Sequence, residues 1–209
     1  MMLHWDNEYM AMITVWILLS YLLGSIPVGL LLSRLKGRDP RKVGSGNIGA
    51  TNVMRTAGKT MGIVTLLGDA MKGFLPTWLA IKWGLPAPVV AAAGLAAFLG
   101  HLFPVYLRFK GGKGIATSVG IFLALSPVAL LVVIIIFAGL LAIWRYVSLG
   151  SLVGAALMPC LLLFLKAPVE YVFLCIIIAV LIFVKHWDNI RRLRAGTENR
   201  IFRGGSKPS

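Results

Sequence analysis

Charged residues are absent from Tyr9 to Ser33, from Trp83 to Leu107, from Gly114 to Trp144 and from Tyr146 to Leu165. Each run reaches about the 20 residues a helix needs to cross the hydrocarbon core of a bilayer. The pattern predicts membrane helices over roughly 11–32, 61–81 and 88–107. The third run, 114–144, would be about 46 Å long as one helix, well over a core of about 30 Å. Ser126-Pro127 interrupts it, because proline removes an amide donor and disfavours helix in the residue before it. Two helices, 115–125 and 128–144, are therefore expected. Two more, 150–165 and 169–186, are separated by Lys166-Ala167-Pro168. The expected fold class is all-α: a polytopic helical membrane protein of seven spans, with five as the alternative.

The basic residues orient this arrangement. Residues 33–60 hold Arg34, Lys36, Arg38, Arg41, Lys42, Arg55 and Lys59, and 108–113 hold Arg108, Lys110 and Lys113. Arg145 follows, and the tail holds Lys185, Arg191, Arg192, Arg194, Arg200, Arg203 and Lys207. Lys/Arg-rich loops stay on the cytoplasmic side. Seven spans with the N-terminus outside put all of these clusters inside and leave only Lys82 and Lys166 outside. Six spans would put one of the two large clusters on the wrong side. Five spans would move 145–151 outside. With seven, four polar loops share the inner face: 33–60, 108–114, 145–151 and 185–209.

Composition agrees. Of 209 residues, 58% are apolar and 13% charged, against about 45–50% apolar in a soluble domain. One domain over 1–209 is expected, with tails at 1–10 and 201–209. The start, MMLHWDNEYM, has no basic region of the kind that opens a secretory signal. The net charge of +14 is read as an attraction to anionic lipid and substrate at the inner face, with no nucleic-acid partner. Cys160 and Cys175 lie inside apolar runs and read as packing residues. No zinc-type cluster is present, and acids are too few for a Mg²⁺-carboxylate site, so no metal or cofactor is expected.

The loop KVGSGNIGATNVMRT, 42–56, carries the first candidate chemistry. Gly44, Gly46 and Gly49 match G-x-G-x-x-G, yet a dinucleotide site needs a preceding strand and a βαβ unit. Here an apolar helix and a basic loop precede it. A P-loop would need glycine at position 53, which is valine. The physical content survives both failed motifs: glycines let amides approach an anion closely. Ser45, Asn47, Thr51 and Asn52 add hydrogen-bonding groups, and Arg55 shares a helical face with Asn52 if 48–58 is helical. The plain alternative is a solvated basic loop. A second loop, with Lys110, Gly111, Gly112 and Lys113, opens the next helix. Free amides, a helix dipole and an ammonium group would combine there to hold a second phosphate.

Asp69 and Lys72 lie inside the second span at i, i+3. Ionisable groups there face the protein interior or a wet cavity; a mutual structural pair and direct substrate contact both remain open. His101 reads as a buried hydrogen-bonded histidine near the inner end of the third span. His186, where the last span leaves the membrane, is the better site candidate, with Asn189 on the same face. Gly150-x-x-x-Gly154 reads as a helix-packing seam, with Ser148 and Ser151 beside it.

These stretches form a recognisable set: GSGNIGATNVMRTAGK running into GDAMKG, then GHLFPVYLRFKGGKGIAT, then KHWDNIRRLRAGTENR. Together, from about Gly24 to Arg200, they resemble the bacterial acyl-phosphate:glycerol-3-phosphate acyltransferase family, PlsY. The resemblance implies transfer of a fatty acyl group from acyl phosphate to the sn-1 hydroxyl of glycerol 3-phosphate at the start of phospholipid synthesis. The products would be lysophosphatidic acid and inorganic phosphate. It implies a monomer in the bacterial inner membrane, in contact with membrane lipid, with its site at the cytoplasmic face. Ser45, Asn47 and Asn52, with the amides of 44–49, would hold the acyl-phosphate head and the developing oxyanion. Arg55 and Lys113 would neutralise phosphate, and His186 and Asn189 would orient glycerol 3-phosphate. Gly44, Gly46, Gly49, Lys110, Gly111, Gly112, Ser148 and Ser151 would line the phosphate sites, and Asp69, Lys72, His101 and Glu198 would support them. No histidine has aspartate five residues on, so the H-x-x-x-x-D mechanism of soluble-donor acyltransferases is not expected. The rival reading is a transporter for an organic phosphate or lysolipid, suggested by the broken 114–144 run.

Overall fold

The computed structural model describes residues 7–201. Residues 1–6 and 202–209, most of the two expected tails, lie outside the described residues; residues 7–10 already belong to the first helix. The chain forms two compact units that divide between Leu125 and Ser126.

The first unit holds α1 (Asn7–Ser25), α2 (Val28–Arg34), α3 (Ala50–Ala57), α4 (Lys59–Lys82), α5 (Ala87–Leu102), a 3₁₀ turn (Val105–Leu107) and α6 (Ile115–Leu125). Its core is built on Leu30, Val53, Phe98, Leu102 and Ile121, all buried. α1 packs on α5, and α4 packs on α3, α5 and α6. Backbones come close where glycine allows it: a Cβ on Gly73 would sit 2.2 Å from the Thr117 carbonyl oxygen of α6. Four buried or part-buried helix hydroxyls bond back into their own helix, the local partner open to them in apolar surroundings. Ser20, Ser25, Thr65 and Thr77 each donate to the carbonyl four residues back at 2.7–2.9 Å.

The second unit holds α7 (Pro127–Trp144), α8 (Val147–Phe164), α9 (Val169–Lys185) and α10 (Trp187–Arg194). Gly150 and Gly154 face Phe137 and Val133, where added Cβ atoms would stand 2.6 and 2.8 Å from those side chains. The expected seam is thus the α7–α8 contact. Both cysteines are free thiols.

Two segments differ from expectation. The 11–32 span is broken at Ile26-Pro27 into α1 and α2, because Pro27 has no amide to give and holds Ile26 out of the helical region. The 88–107 helix stops at Leu102, and Phe103-Pro104 leads into the 3₁₀ turn. The break at Ser126-Pro127 is present as expected, giving α6 and α7.

Among the described residues, four helical segments are each long and apolar enough to cross a bilayer: 7–34, 87–107, 127–144 and 147–164. α9 joins them if taken with α10, to which it is bent by 60°. α7 is apolar all round, yet only 11% of its window is buried by protein. In water that surface would be costly, whereas lipid covers it. α4 falls below this standard because Asp69 and Lys72 interrupt it, and α6, with 11 residues, rises only about 16 Å.

Candidate active site

In the first unit, the loop before α3 is organised by one side chain. Asn52, 2% exposed, donates through Nδ2 to the carbonyls of Pro40 (2.7 Å), Asn47 (2.8 Å) and Val43 (3.1 Å). Its Oδ1 accepts the Ser45 amide at 3.0 Å. The Asn52 carboxamide, expected to hold substrate, is engaged by the loop and shapes it. Gly44 and Gly46 have φ of +67° and +70°, and a Cβ on Gly44 would lie 2.3 Å from Asn52 Oδ1. Asn47 closes an Asx turn, its Oδ1 accepting the Gly49 amide at 3.0 Å. What remains outward-facing is Ser45, Arg55 and Lys42, all exposed. The nearby Arg41 is spent differently: its guanidinium grips Asp39 at 2.7 Å and holds that carboxyl well below the usual range.

The second loop also departs from expectation. The Gly111 amide donates to the Leu102 carbonyl (3.2 Å) and the Gly112 amide to the His101 carbonyl (3.1 Å). These amides are therefore not donors for an anion, since the segment 111–112 is laid against the end of α5. Lys110 is exposed, and Lys113 is half-buried at the mouth of α6. Asp69, Lys72 and His101 come together in the interior. Lys72 Nζ stands 3.0 Å from Asp69 Oδ1, and His101 Nδ1 stands 3.7 Å from the same oxygen. With exposures of 2%, 4% and 4%, all three side chains are buried.

In the second unit the centre is Glu198, whose importance the sequence reading missed beyond a supporting role. Its Oε1 accepts from Asn189 Nδ2 (2.6 Å) and Ser148 Oγ (2.9 Å), and its Oε2 accepts from Arg192 Nε (2.7 Å). The carboxylate side chain is 6% exposed. One of only two acids in a basic tail, with Asn189 and Arg192 at i, i+3, is the available signal. The tail is strapped further by Arg200, which donates to the Tyr146 hydroxyl at 3.2 Å, and by the Ile201 amide on the Arg145 carbonyl at 2.8 Å. Ser151, expected at a phosphate, donates instead to the Val147 carbonyl of its own helix at 2.9 Å. His186 is 4% exposed, with Nδ1 2.8 Å from the Ile182 carbonyl. A carbonyl only accepts, so Nδ1 is the donor in this contact.

Burial by itself would raise the Glu198 pKa, but hydrogen bonds from Asn189, Arg192 and Ser148 and the Arg192 charge outweigh it, so the pKa is lowered. A lowered carboxyl pKa stabilises the fold above the unfolded value of about 4.3 and loses that contribution as pH falls through the folded value. Detergent-solubilised protein is therefore expected to hold a constant melting temperature from pH 5 to 7 as far as this group is concerned. Below about pH 4 the melting temperature should fall. Glu198→Gln, with no charge to titrate, should lose less over that acid range, measured by thermal unfolding at each pH.

Taken together, these features define an integral membrane protein of apolar helices carrying basic, glycine-rich polar loops. A sequence model of the glycerol-3-phosphate acyltransferase family matches residues 14–196. The chain belongs to that family. It is 54% identical over 182 residues to a glycerol-3-phosphate acyltransferase of Geobacter sulfurreducens, covering 87% of this chain and 94% of that one. It is 53% identical over 186 residues to one of Trichlorobacter lovleyi, covering 89% and 96%. Among solved structures it is similar to the glycerol 3-phosphate form of PlsY, described as an integral membrane glycerol 3-phosphate acyltransferase. The TM-score is 0.88 at 41% identity, covering 91% of this chain and 96% of that one. The lysophosphatidic acid form of PlsY aligns with a TM-score of 0.86 at 40% identity, covering 91% and 95%.

Proposed function

We propose that the chain transfers a fatty acyl group from acyl phosphate to the sn-1 hydroxyl of glycerol 3-phosphate, forming lysophosphatidic acid and inorganic phosphate. The observation that carries this reading is the Asn52-pinned loop, which leaves Ser45 and Arg55 outward at a glycine-rich turn before α3. Such a turn suits a phosphate monoester. Family membership sets the transporter reading aside.

In the proposed reaction the sn-1 oxygen attacks the acyl carbon, and the bond from that carbon to the phosphate oxygen breaks. The hydroxyl proton passes to a phosphate oxygen of the substrate. The leaving group is already good, so the protein's task is to position both substrates and stabilise negative charge. The Ser45 hydroxyl and Arg55 hold the acyl-phosphate head, while Gly44, Gly46, Gly49, Asn47 and Asn52 keep that loop in shape. Lys110 and Lys113 take phosphate charge, with Gly111 and Gly112 fixing the course of their loop. His186 orients glycerol 3-phosphate. Asn189 and Ser148 act through their bonds to Glu198. No metal or cofactor takes part. The domain is one, 1–209, a reading supported by the family match running through both compact units. We place it as a monomer in the bacterial inner membrane with seven spans, the N-terminus outside and the polar loops in the cytoplasm, on the distribution of Lys and Arg.

The deciding assay gives purified protein long-chain acyl phosphate or acyl-CoA with labelled glycerol 3-phosphate, EDTA being present throughout. Lysophosphatidic acid is expected from acyl phosphate alone. Product from acyl-CoA, or loss of product with EDTA, would overturn the donor or the metal-free reading respectively. Arg55→Ala is expected to lower kcat/KM about 100-fold, the loss of one or two charge-assisted contacts of about 1.5–3 kcal/mol. Because Arg55 is exposed, the melting temperature should hardly change. His186→Ala should keep residual turnover; complete loss with substrate binding intact would make His186 the base.

A further inference from the structure

The proposed chemistry leaves Asp69, Lys72 and His101 without a task, although burying three ionisable groups is costly. Their surroundings supply one. Lys72 Nζ donates to the Ile26 carbonyl at 3.0 Å, at the break between α1 and α2. It also pairs with Asp69, and Asp69 Oδ1 faces His101 Nδ1. The other edge of the imidazole is pressed on the loop: a Cβ at Gly112 would stand 2.2 Å from His101 Nε2. The His101 carbonyl accepts the Gly112 amide, and a Cβ at Gly111 would lie 2.1 Å from that same carbonyl. The ring is therefore wedged between a buried carboxylate and the backbone one residue before Lys113.

We propose that Asp69, Lys72 and His101 are positioning residues that set the height of the Gly112-Lys113 backbone, and through it the Lys113 ammonium, for a substrate phosphate. This rests on the acyltransferase reading above. The buried ion pair acts as a fixed post: its charge keeps the imidazole in one orientation, and the ring backs the loop where glycine leaves room. A displacement of about 1 Å at such a contact can cost on the order of 100-fold in rate or affinity.

The test compares His101→Leu, His101→Asn, Gly112→Ala and Lys113→Ala in purified protein, varying each substrate in turn. His101→Leu should raise the KM of one phosphate substrate at least about 10-fold while kcat changes less than about 3-fold, with His101→Asn recovering part of the loss through its amide. Combined with Lys113→Ala, His101→Leu should add little, because both act at one point. Gly112→Ala pushes on the ring from the loop side without touching the buried charges, so it should reproduce the KM effect even if His101→Leu does not fold. Equilibrium binding of glycerol 3-phosphate and of acyl phosphate, which needs no turnover, should weaken for the same substrate. A fall in melting temperature and kcat with both KM values and both affinities unchanged would overturn the proposal, as would additive effects with Lys113→Ala. Wild-type protein that binds both substrates but makes no product would overturn the acyltransferase reading and leave the binding comparison to decide this one.

Discussion

Asn52→Asp should abolish measurable acyl transfer, a loss of 100-fold or more, although it changes one NH₂ group for an oxygen. The native amide donates to the carbonyls of Pro40, Val43 and Asn47. An aspartate would turn an acceptor toward three acceptors, in a site only 2% exposed. The loop would lose its bonds and gain repulsion, at about 1–3 kcal/mol for each buried group left unsatisfied. Asn52→Ala loses the bonds without the repulsion, so it should be less severe. Gly44→Ala attacks the same arrangement from the other side, since φ is +67° and the new methyl would overlap Asn52 Oδ1. Steady-state rates together with melting temperatures check the order: Asn52→Asp and Gly44→Ala worst, Asn52→Ala next. An Asn52→Asp protein with near-normal kcat would show that loop shape does not govern the reaction.

The second large effect is expected at Glu198. Truncation to alanine removes the acceptor that Asn189, Ser148 and Arg192 share, leaving the tail held near the start of α8 only by Arg200 and the Ile201 amide. The buried-pair figure of about 3–5 kcal/mol is an upper guide here, because Arg192 is 36% exposed on its side chain and solvent softens that bond. About 2–4 kcal/mol is the expected loss, from two neutral hydrogen bonds and one charge-assisted one. Glu198→Gln keeps the shape and one accepting oxygen, so it should lose roughly half as much. The measurement is thermal unfolding in detergent followed by activity on the fraction that remains folded. A Glu198→Ala protein as stable as wild type would mean that the tail contributes nothing to holding α8 and α10.

Legibility of the sequence differed between fold and site, for a physical reason. Charge-free runs and prolines are local signals, so α4, α6, α7, α8 and α9 fall close to where hydropathy and Ser126-Pro127 place them. The break at Pro27 is equally local, but the uniformly apolar run around it masks it. The glycine-rich loop, the Gly-Gly-Lys stretch and the His-Trp-Asp-Asn tail were visible as chemistry because glycine and basic residues are out of place between apolar segments.

What the sequence by itself determined is therefore the class of the protein, its helices, and which loops carry polar chemistry, since these follow from composition along the chain. Only the tertiary structure decided which polar groups face outward and which are used up inside. Asn52 and Ser45 look equivalent as letters, yet one is spent on three carbonyls and the other is exposed. Glu198 looks like one acid among many bases, yet it joins Ser148, 50 positions away, to Asn189 and Arg192. Hydrogen bonds are short-ranged and directional, so their partners are settled by how distant segments pack, which no local pattern encodes.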